Sequence, residues 1–273
     1  MKNIYSISLY TLREALSRKV FITFFAVSTF VLLIFTLLFS TISVEGFFSV
    51  STVRPESTNS LLANVAGALK TMIVIPLYGG GLFLSIFSAA SFIPNMLEKG
   101  SVDLMLSFPV SRREIILGKF FGGILMVLVN IAYLVLGIWL LIGIKFGNWD
   151  SSFLFAIPTI VFAFSSLYGM IILIGILTQN SVLSMMISYL IFFIFSPILS
   201  AKDSISSFIN NGVVTFIIDV MHFIVPKTSE LGSITANLAA GVSISDIEPF
   251  ATSLIILILN LVLSIIIFNK KDY

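Results

Sequence analysis

The sequence predicts an all-α polytopic membrane protein. It has six transmembrane helices, an N-terminal amphipathic helix, a cytoplasmic coupling helix and an outer amphipathic or re-entrant segment. Three observations predict it. Of 273 residues, 58% are hydrophobic and only 10% are charged, whereas a soluble domain carries about 25% charged residues. Six stretches reach the roughly 20 apolar residues that a helix needs to cross a bilayer core: Val20–Ile42, Met72–Ile93, Ile115–Ile144, Phe153–Leu177, Val182–Leu199 and Phe250–Phe268. Lys and Arg are shared unequally between the segments that join them. The whole chain, 1–273, reads as a single membrane domain.

Residues 1–19 form the N-terminal amphipathic helix, with Tyr5, Leu9, Leu12 and Leu16 on one face and Arg13, Arg18 and Lys19 toward headgroups. The first span that follows is too long, and too far from the terminus, for a cleavable signal peptide. Gly79-Gly80-Gly81 in the second span and Pro158 in the fourth are tolerable within a packed bundle. With an even number of spans both termini share a side. If that side is the cytoplasm of a plasma (inner) membrane protein, the inner segments hold ten of the 15 Lys and Arg, the positive-inside bias. Residues 200–249 then form an outer segment. Within it, residues 205–225 place Ile205, Phe208, Ile209, Phe216, Ile217, Val220, Phe223 and Ile224 at helical spacing, interrupted by Asn210, Asn211, Asp219 and His222. A crossing there would put Lys270 and Lys271 outside, so an amphipathic or re-entrant helix at the outer surface is expected.

The middle of every span lacks Asp, Glu, Lys, Arg and His, and Asn130 and Asn260 are the most polar residues inside. Ion-coupled carriers and pumps usually place ionisable groups there, so their absence weighs against those classes, although backbone carbonyls of broken helices can bind sodium. There is no aspartate pair or HExxH for intramembrane proteolysis, and the single His222 is read as an interfacial side chain. A metal would need partners, and only Asp219, one turn away, is near in sequence. Zero Cys removes disulfides, thiolate metal sites and a thiol nucleophile. A net charge of +2 leaves no nucleic-acid footprint. Gly118-Lys119 lacks the remainder of a phosphate loop, so a separate energy-supplying ATPase subunit is the economical expectation. No catalytic residue, cofactor or metal is expected here.

One cytoplasmic segment, 94–114, gathers charges of both signs. Ser101 can cap a short helix with Asp103 in its first turn. Val102, Met105 and Leu106 share a face of that helix, with Leu104 and Phe108 beside them. Pro109 ends it by forcing Phe108 out of helical conformation. Ser111-Arg112-Arg113-Glu114 is a capping box, and Val110 and Ile115 stand at the positions of a hydrophobic staple. The segment is therefore a short shaped helix with an exposed apolar face. It either lies on lipid or docks a cytoplasmic partner.

The run LEKGSVDLMLSFPVSRREIILGKF resembles the signature between the second and third spans of type-2 ABC exporter permeases. Glu98, Gly100, Leu104, Leu106, Pro109, Ser111, Arg112, Gly118 and Lys119 carry the likeness. The opening NIYSISLYTLREALSRKVF resembles that family's N-terminal connector, and the NosY-like permeases are the most similar branch. The resemblance implies a permease that does no chemistry itself and exports a substrate as a homodimer or pseudo-dimer. It implies docking of a cytoplasmic ABC ATPase subunit, which holds ATP and Mg, through Glu98, Gly100, Val102, Leu104, Met105, Leu106, Pro109, Ser111 and Arg112. It also implies a route at the dimer interface. Gly118-x-x-x-Gly122 and Gly79–Gly81 permit close helix approach, either there or within one subunit. A secondary carrier and a non-transporting membrane anchor for a cytoplasmic partner are the alternative functions.

Overall fold

The computed structural model describes residues 2–17, 19–41, 58–97, 110–147, 149–202, 205, 212–244 and 246–271. Among them the regular elements are all helical. In chain order they are α1 (Lys2–Ser17), α2 (Lys19–Thr41), α3 (Thr58–Ala89), α4 (Phe92–Met96), α5 (Arg112–Phe146), a 3-10 turn (Ser151–Phe155) and α6 (Ala156–Thr178). Then follow α7 (Ser181–Leu190), a π turn (Ile191–Phe195), α8 (Ser196–Ser200), α9 (Gly212–Ile224), α10 (Thr228–Ala239) and α11 (Glu248–Lys270).

Among the described residues six helices are long and apolar enough to cross a membrane: Phe21–Thr41, Lys70–Met96, Arg112–Lys145, Ser151–Thr178, Ser181–Ser200 and Glu248–Lys270. Each coincides with one expected span. The third is longer than expected because its helix starts at the cap, Ser111, and its 35 residues extend about 50 Å, well past the roughly 30 Å hydrocarbon core.

The fourth span is the hub. Of its most apolar stretch 72% is buried, against 17% for the first span. Tyr168 of α6 stacks on Phe164 and Phe120 with ring centroids 5.2 and 5.9 Å away. A Cβ at Gly123 of α5 would lie 2.5 Å from the Tyr168 ring, and one at Gly169 of α6 would lie 2.8 Å from Leu257 of α11. Glycine at these two positions lets α5 and α11 close on α6. The first span joins the rest through α5: Ser28 Oγ donates to Asn130 Oδ1 at 2.7 Å, and Leu32 covers Gly137. The polar Asn130 is thus a tie between spans.

The N-terminal helix α1 packs on α5, but on a different face from the one its apolar residues mark. Tyr5 and Leu16 are exposed, Leu9 and Leu12 are half-buried, and the buried residues are Ser8 and Thr11. The reason lies in α5. A Cβ at Gly118 would stand 2.5 Å from Ile7, and one at Gly122 would stand 2.6 Å from Thr11, so the glycine pair forms a groove that receives the β-branched Ile7 and Thr11 and brings the two helices close. Ser8 and Thr11 satisfy their hydroxyls within α1, donating to the carbonyls of Ile4 and Ile7 at 2.8 Å. Of the apolar face, Leu12 packs partly against the core, while Tyr5 and Leu16 stay exposed. Gly118 and Gly122 are packing within one subunit.

The expected outer segment contains two described helices. Neither α9 nor α10 is among the six long apolar ones. The turn between them is drawn into the bundle: Tyr78 Oη donates to the Thr228 carbonyl at 2.5 Å, Ser229 N donates to Ser196 Oγ at 2.8 Å, and Lys227 N donates to Ser253 Oγ at 3.2 Å. Tyr78 lies eight residues along α3 from Lys70, a rise of about 12 Å. Lys70 pairs with Asp150 in the α5–α6 connection, which marks the end of the bundle opposite the start of α5. From the turn, α10 returns toward that end, where Gly241 comes beside Ser152. The turn between α9 and α10 thus lies within the bundle, and the end of α10 reaches the level of the Lys70–Asp150 pair.

Candidate functional site

Of the residues expected to dock a partner, Glu98, Gly100, Val102, Leu104, Met105, Leu106 and Pro109 lie outside the described residues. Ser111 and Arg112 are described, and they stand where the segment turns into α5. Ser111 is extended (φ −74°, ψ 147°), and its hydroxyl accepts from Glu114 N at 3.3 Å. The Glu114 carboxylate accepts in return from Ser111 N at 2.9 Å. The capping box read from the sequence is present, and it holds the corner at a fixed angle.

Arg112, in the first turn of α5, sends its guanidinium across to α11. Its Nη1 donates to the carbonyls of Lys271 at 2.6 Å, Phe268 at 2.9 Å and Asn269 at 3.4 Å. The same guanidinium lies 5.7 Å from the centre of the Phe268 ring. Lys271 continues the chain of contacts: its Nζ donates to the Ile176 carbonyl at the end of α6, at 2.6 Å. The last carbonyls of a helix have no partner within it, so each cation caps a helix that is not its own. Nearby, Lys119 is 1% exposed, and its Nζ meets the Glu14 carboxylate of α1 at 2.6 Å. Three basic residues that seemed only to mark the cytoplasmic side thus tie α5 to α1 and α11, and α11 to α6.

A second feature lies near the other end. A cavity of about 310 Å³ is lined by Ile75, Tyr78 and Gly79 of α3, Phe192 and Phe193 of the π turn, Pro197 of α8, and Ser229, Gly232 and Ser233 of α10. Its walls are irregular for identifiable reasons. Pro76 sits inside α3 and withholds a donor from the preceding turn. Before Pro197 the chain widens into the π turn, where Ser196 N reaches back five residues to the Ile191 carbonyl. Glycine at 79 leaves open space, and a Cβ at Gly232 would lie 2.9 Å from the Tyr78 ring. The lining is mostly apolar, with the three hydroxyls of Tyr78, Ser229 and Ser233 and no charge.

Above the cavity Lys227 pairs with Glu248 at 2.6 Å and lies 3.9 Å from Glu230. His222 Nε2 lies 3.6 Å from Glu230. Burial, followed by the ammonium charges of Lys227 and Lys202, lowers the His222 pKa below its ordinary value, against the pull of Glu230. In the α5–α6 connection burial raises Asp150, but the Lys70 ammonium and Ser152 outweigh it, and the carboxyl sits below its ordinary range. Sequence reasoning missed the cavity and α10. The signals that could have found them were the prolines in two spans and the Ser229/Gly232/Ser233 spacing on one helical face.

The family described as ABC-2 family transporter protein matches residues 12–273. The chain belongs to the ABC-2 transporter family. No curated protein matches the sequence. As an ABC-2 family protein with six apolar helices it is a multi-pass membrane protein, the permease subunit of an ABC transporter. The catalytic work of such a transporter is not done by this subunit.

Proposed function

We propose that this ABC-2 family permease exports its substrate with energy from ATP hydrolysed on a separate cytoplasmic ABC subunit, which holds the ATP and Mg. The segment 94–114 docks that subunit, with Val102, Met105 and Leu106 as its apolar contact. Both termini are cytoplasmic in the plasma (inner) membrane, and two copies, or two related permeases, enclose the route. The branch is NosY-like. The observation that carries this reading is the capped corner at Ser111 and Glu114. It mounts the family's cytoplasmic motif rigidly on the longest span, and a movable lever needs such a mount. The uncharged cavity beside α3 supports a substrate route along that helix and favours a substrate, or a substrate part, without charge.

The test uses the complex purified with the ATPase that accompanies it. The introduced thiol of Val102→Cys should cross-link to that subunit, with a yield that changes with nucleotide. Reconstituted complex should hydrolyse ATP and move substrate without a proton or sodium gradient. Transport driven by a gradient, by this chain alone, would overturn the reading in favour of a secondary carrier. Recruitment of a partner without any transport would favour an anchor.

A further inference from the structure

Arg112 stands where α5's own electrostatics do not want it. The N-terminus of a helix carries partial positive charge, and a cation in its first turn is unfavourable. Arg112 and Arg113 occupy that turn together. Arg113 is exposed to water. Arg112 is instead directed to the C-terminus of α11, where the partial charge is negative and the carbonyls of Phe268, Asn269 and Lys271 lie within 3.4 Å. The Lys271 backbone is locked by this contact, and the Lys271 side chain caps α6 at Ile176. The order of attachment is therefore the Ser111 corner, Arg112, the end of α11, Lys271 and the end of α6. The hub helix α6 and the last span are joined to the corner by two cations.

We propose that Arg112 is a positioning residue of transport rather than a contact for the ATPase. It makes the corner at Ser111, α11 and α6 move as one body, so that displacement of the cytoplasmic segment reaches the last span and the hub directly. This rests on the coupling to an ATPase proposed above. Two features of the geometry favour a mechanical role. One guanidinium nitrogen, Nη1, lies within 3.4 Å of three carbonyls at the end of α11 while the same group sits over the Phe268 ring, so one side chain engages both the backbone and a side chain of that helix end. The tie also runs between elements far apart in sequence, at the point where the cytoplasmic motif joins the membrane bundle.

The absence of native cysteine allows single environment-sensitive fluorophores to be placed on exposed positions: Ile255→Cys on α11, Leu177→Cys on α6 and Phe30→Cys on α2. The α2 label is the control, since α2 is held directly to α5 by the Ser28–Asn130 bond and the Leu32–Gly137 contact, with no part of the path running through Arg112. The protein is the permease–ATPase complex in nanodiscs, and the probe is a non-hydrolysable ATP analogue. In the native background all three labels should change emission on nucleotide binding. Arg112→Ala should reduce the change at α11 and α6 by at least half and leave α2 unaffected, with ATPase binding retained. Arg112→Lys, which keeps the charge and the fold, should give an intermediate response. Lys271→Ala should reduce the α6 response alone. An unchanged α11 response in Arg112→Ala overturns the inference. Equal loss at all three sites, or loss of ATPase binding, also overturns it, because Arg112 would then be a docking contact. No response at any site in the native background would overturn the ATP-driven reading itself.

Discussion

The Lys119–Glu14 pair allows a prediction in which a double substitution harms the protein less than one of its parts. The two charged atoms are 2.6 Å apart, with side chains 2% and 21% exposed. At an effective dielectric of 20 their attraction is about 6 kcal/mol, and desolvation of both ions opposes it. The exposures make the pair asymmetric. Glu14→Gln takes the carboxylate away from an ammonium with almost no access to water, at about 3–5 kcal/mol. Lys119→Met takes the ammonium away from a carboxylate that water still reaches, at about 1–3 kcal/mol. Glu14→Leu combined with Lys119→Met removes both ions and fills the space, and should be near neutral. Intrinsic fluorescence of Trp139 and Trp149 in detergent reports thermal unfolding. At roughly 2 °C per kcal/mol, Glu14→Gln should lower Tm by about 6 °C or more, and the double variant should recover most of it. Labelling of a cysteine at Thr11, 1% exposed, separates local release of α1 from global unfolding. The reasoning is refuted if Glu14→Gln is no worse than Lys119→Met, or if the double variant is the least stable of the three.

Other outcomes follow from the same structure. Gly118→Ala should destabilise the subunit by up to about 2 kcal/mol, because overpacking against Ile7 at 2.5 Å costs about 1–3 kcal/mol while the better helix former returns about 1. Gly79→Ala, facing open space, should be neutral or stabilising by up to about 1 kcal/mol in the same detergent melt. The lowered His222 pKa means that the folded protein resists protonation, so the contribution of this group is fully present above the unfolded value of about 6.5 and is lost as pH falls below it. Tm should drop between pH 7 and 5, and His222→Gln should flatten that slope; an equal slope in the variant removes His222 as its cause. Reporter fusions after Gly100 and Lys271 should read as cytoplasmic, and those after Arg54, Asn148 and Thr228 as external. A cytoplasmic signal at Thr228 would mean that residues 205–225 cross the membrane.

The six spans were legible because each carries its own signal: about 20 apolar residues are required by the bilayer whatever the neighbours do. The corner at Ser111 was legible for the same reason, since a capping box is closed within four residues. What could not be read depended on a partner elsewhere in the chain. The buried face of α1 is set by a glycine groove more than a hundred residues away, and the apolar periodicity of α1 marks a face of which Tyr5 and Leu16 stay exposed. In α10, Thr228, Ser229, Gly232 and Ser233 look like a polar loop. They are helical because Tyr78, Ser196 and Ser253 receive them. The number of basic residues in each segment supports an expectation of sidedness, but their individual targets, a helix end for Arg112 and Lys271 and a carboxylate for Lys119, are matters of tertiary geometry. For Glu98, Gly100, Val102, Leu104, Met105, Leu106 and Pro109 the sequence remains the only description.

The last span is fastened at both extremities. Arg112 holds its final carbonyls, and the Lys227–Glu248 pair and the bond from Lys227 N to Ser253 hold its beginning. Its 23 residues thus act as a gauge block of about 35 Å set between two fixed jaws. One inserted residue would swing the far carbonyls by about 100° around the axis and take them away from the guanidinium, although lipid alone would tolerate the added length through a slight tilt. Of the first span's most apolar stretch only 17% is buried. When bilayer thickness changes, compliance belongs to α2, while α11 keeps its span and the distance between the two faces of the bundle is conserved.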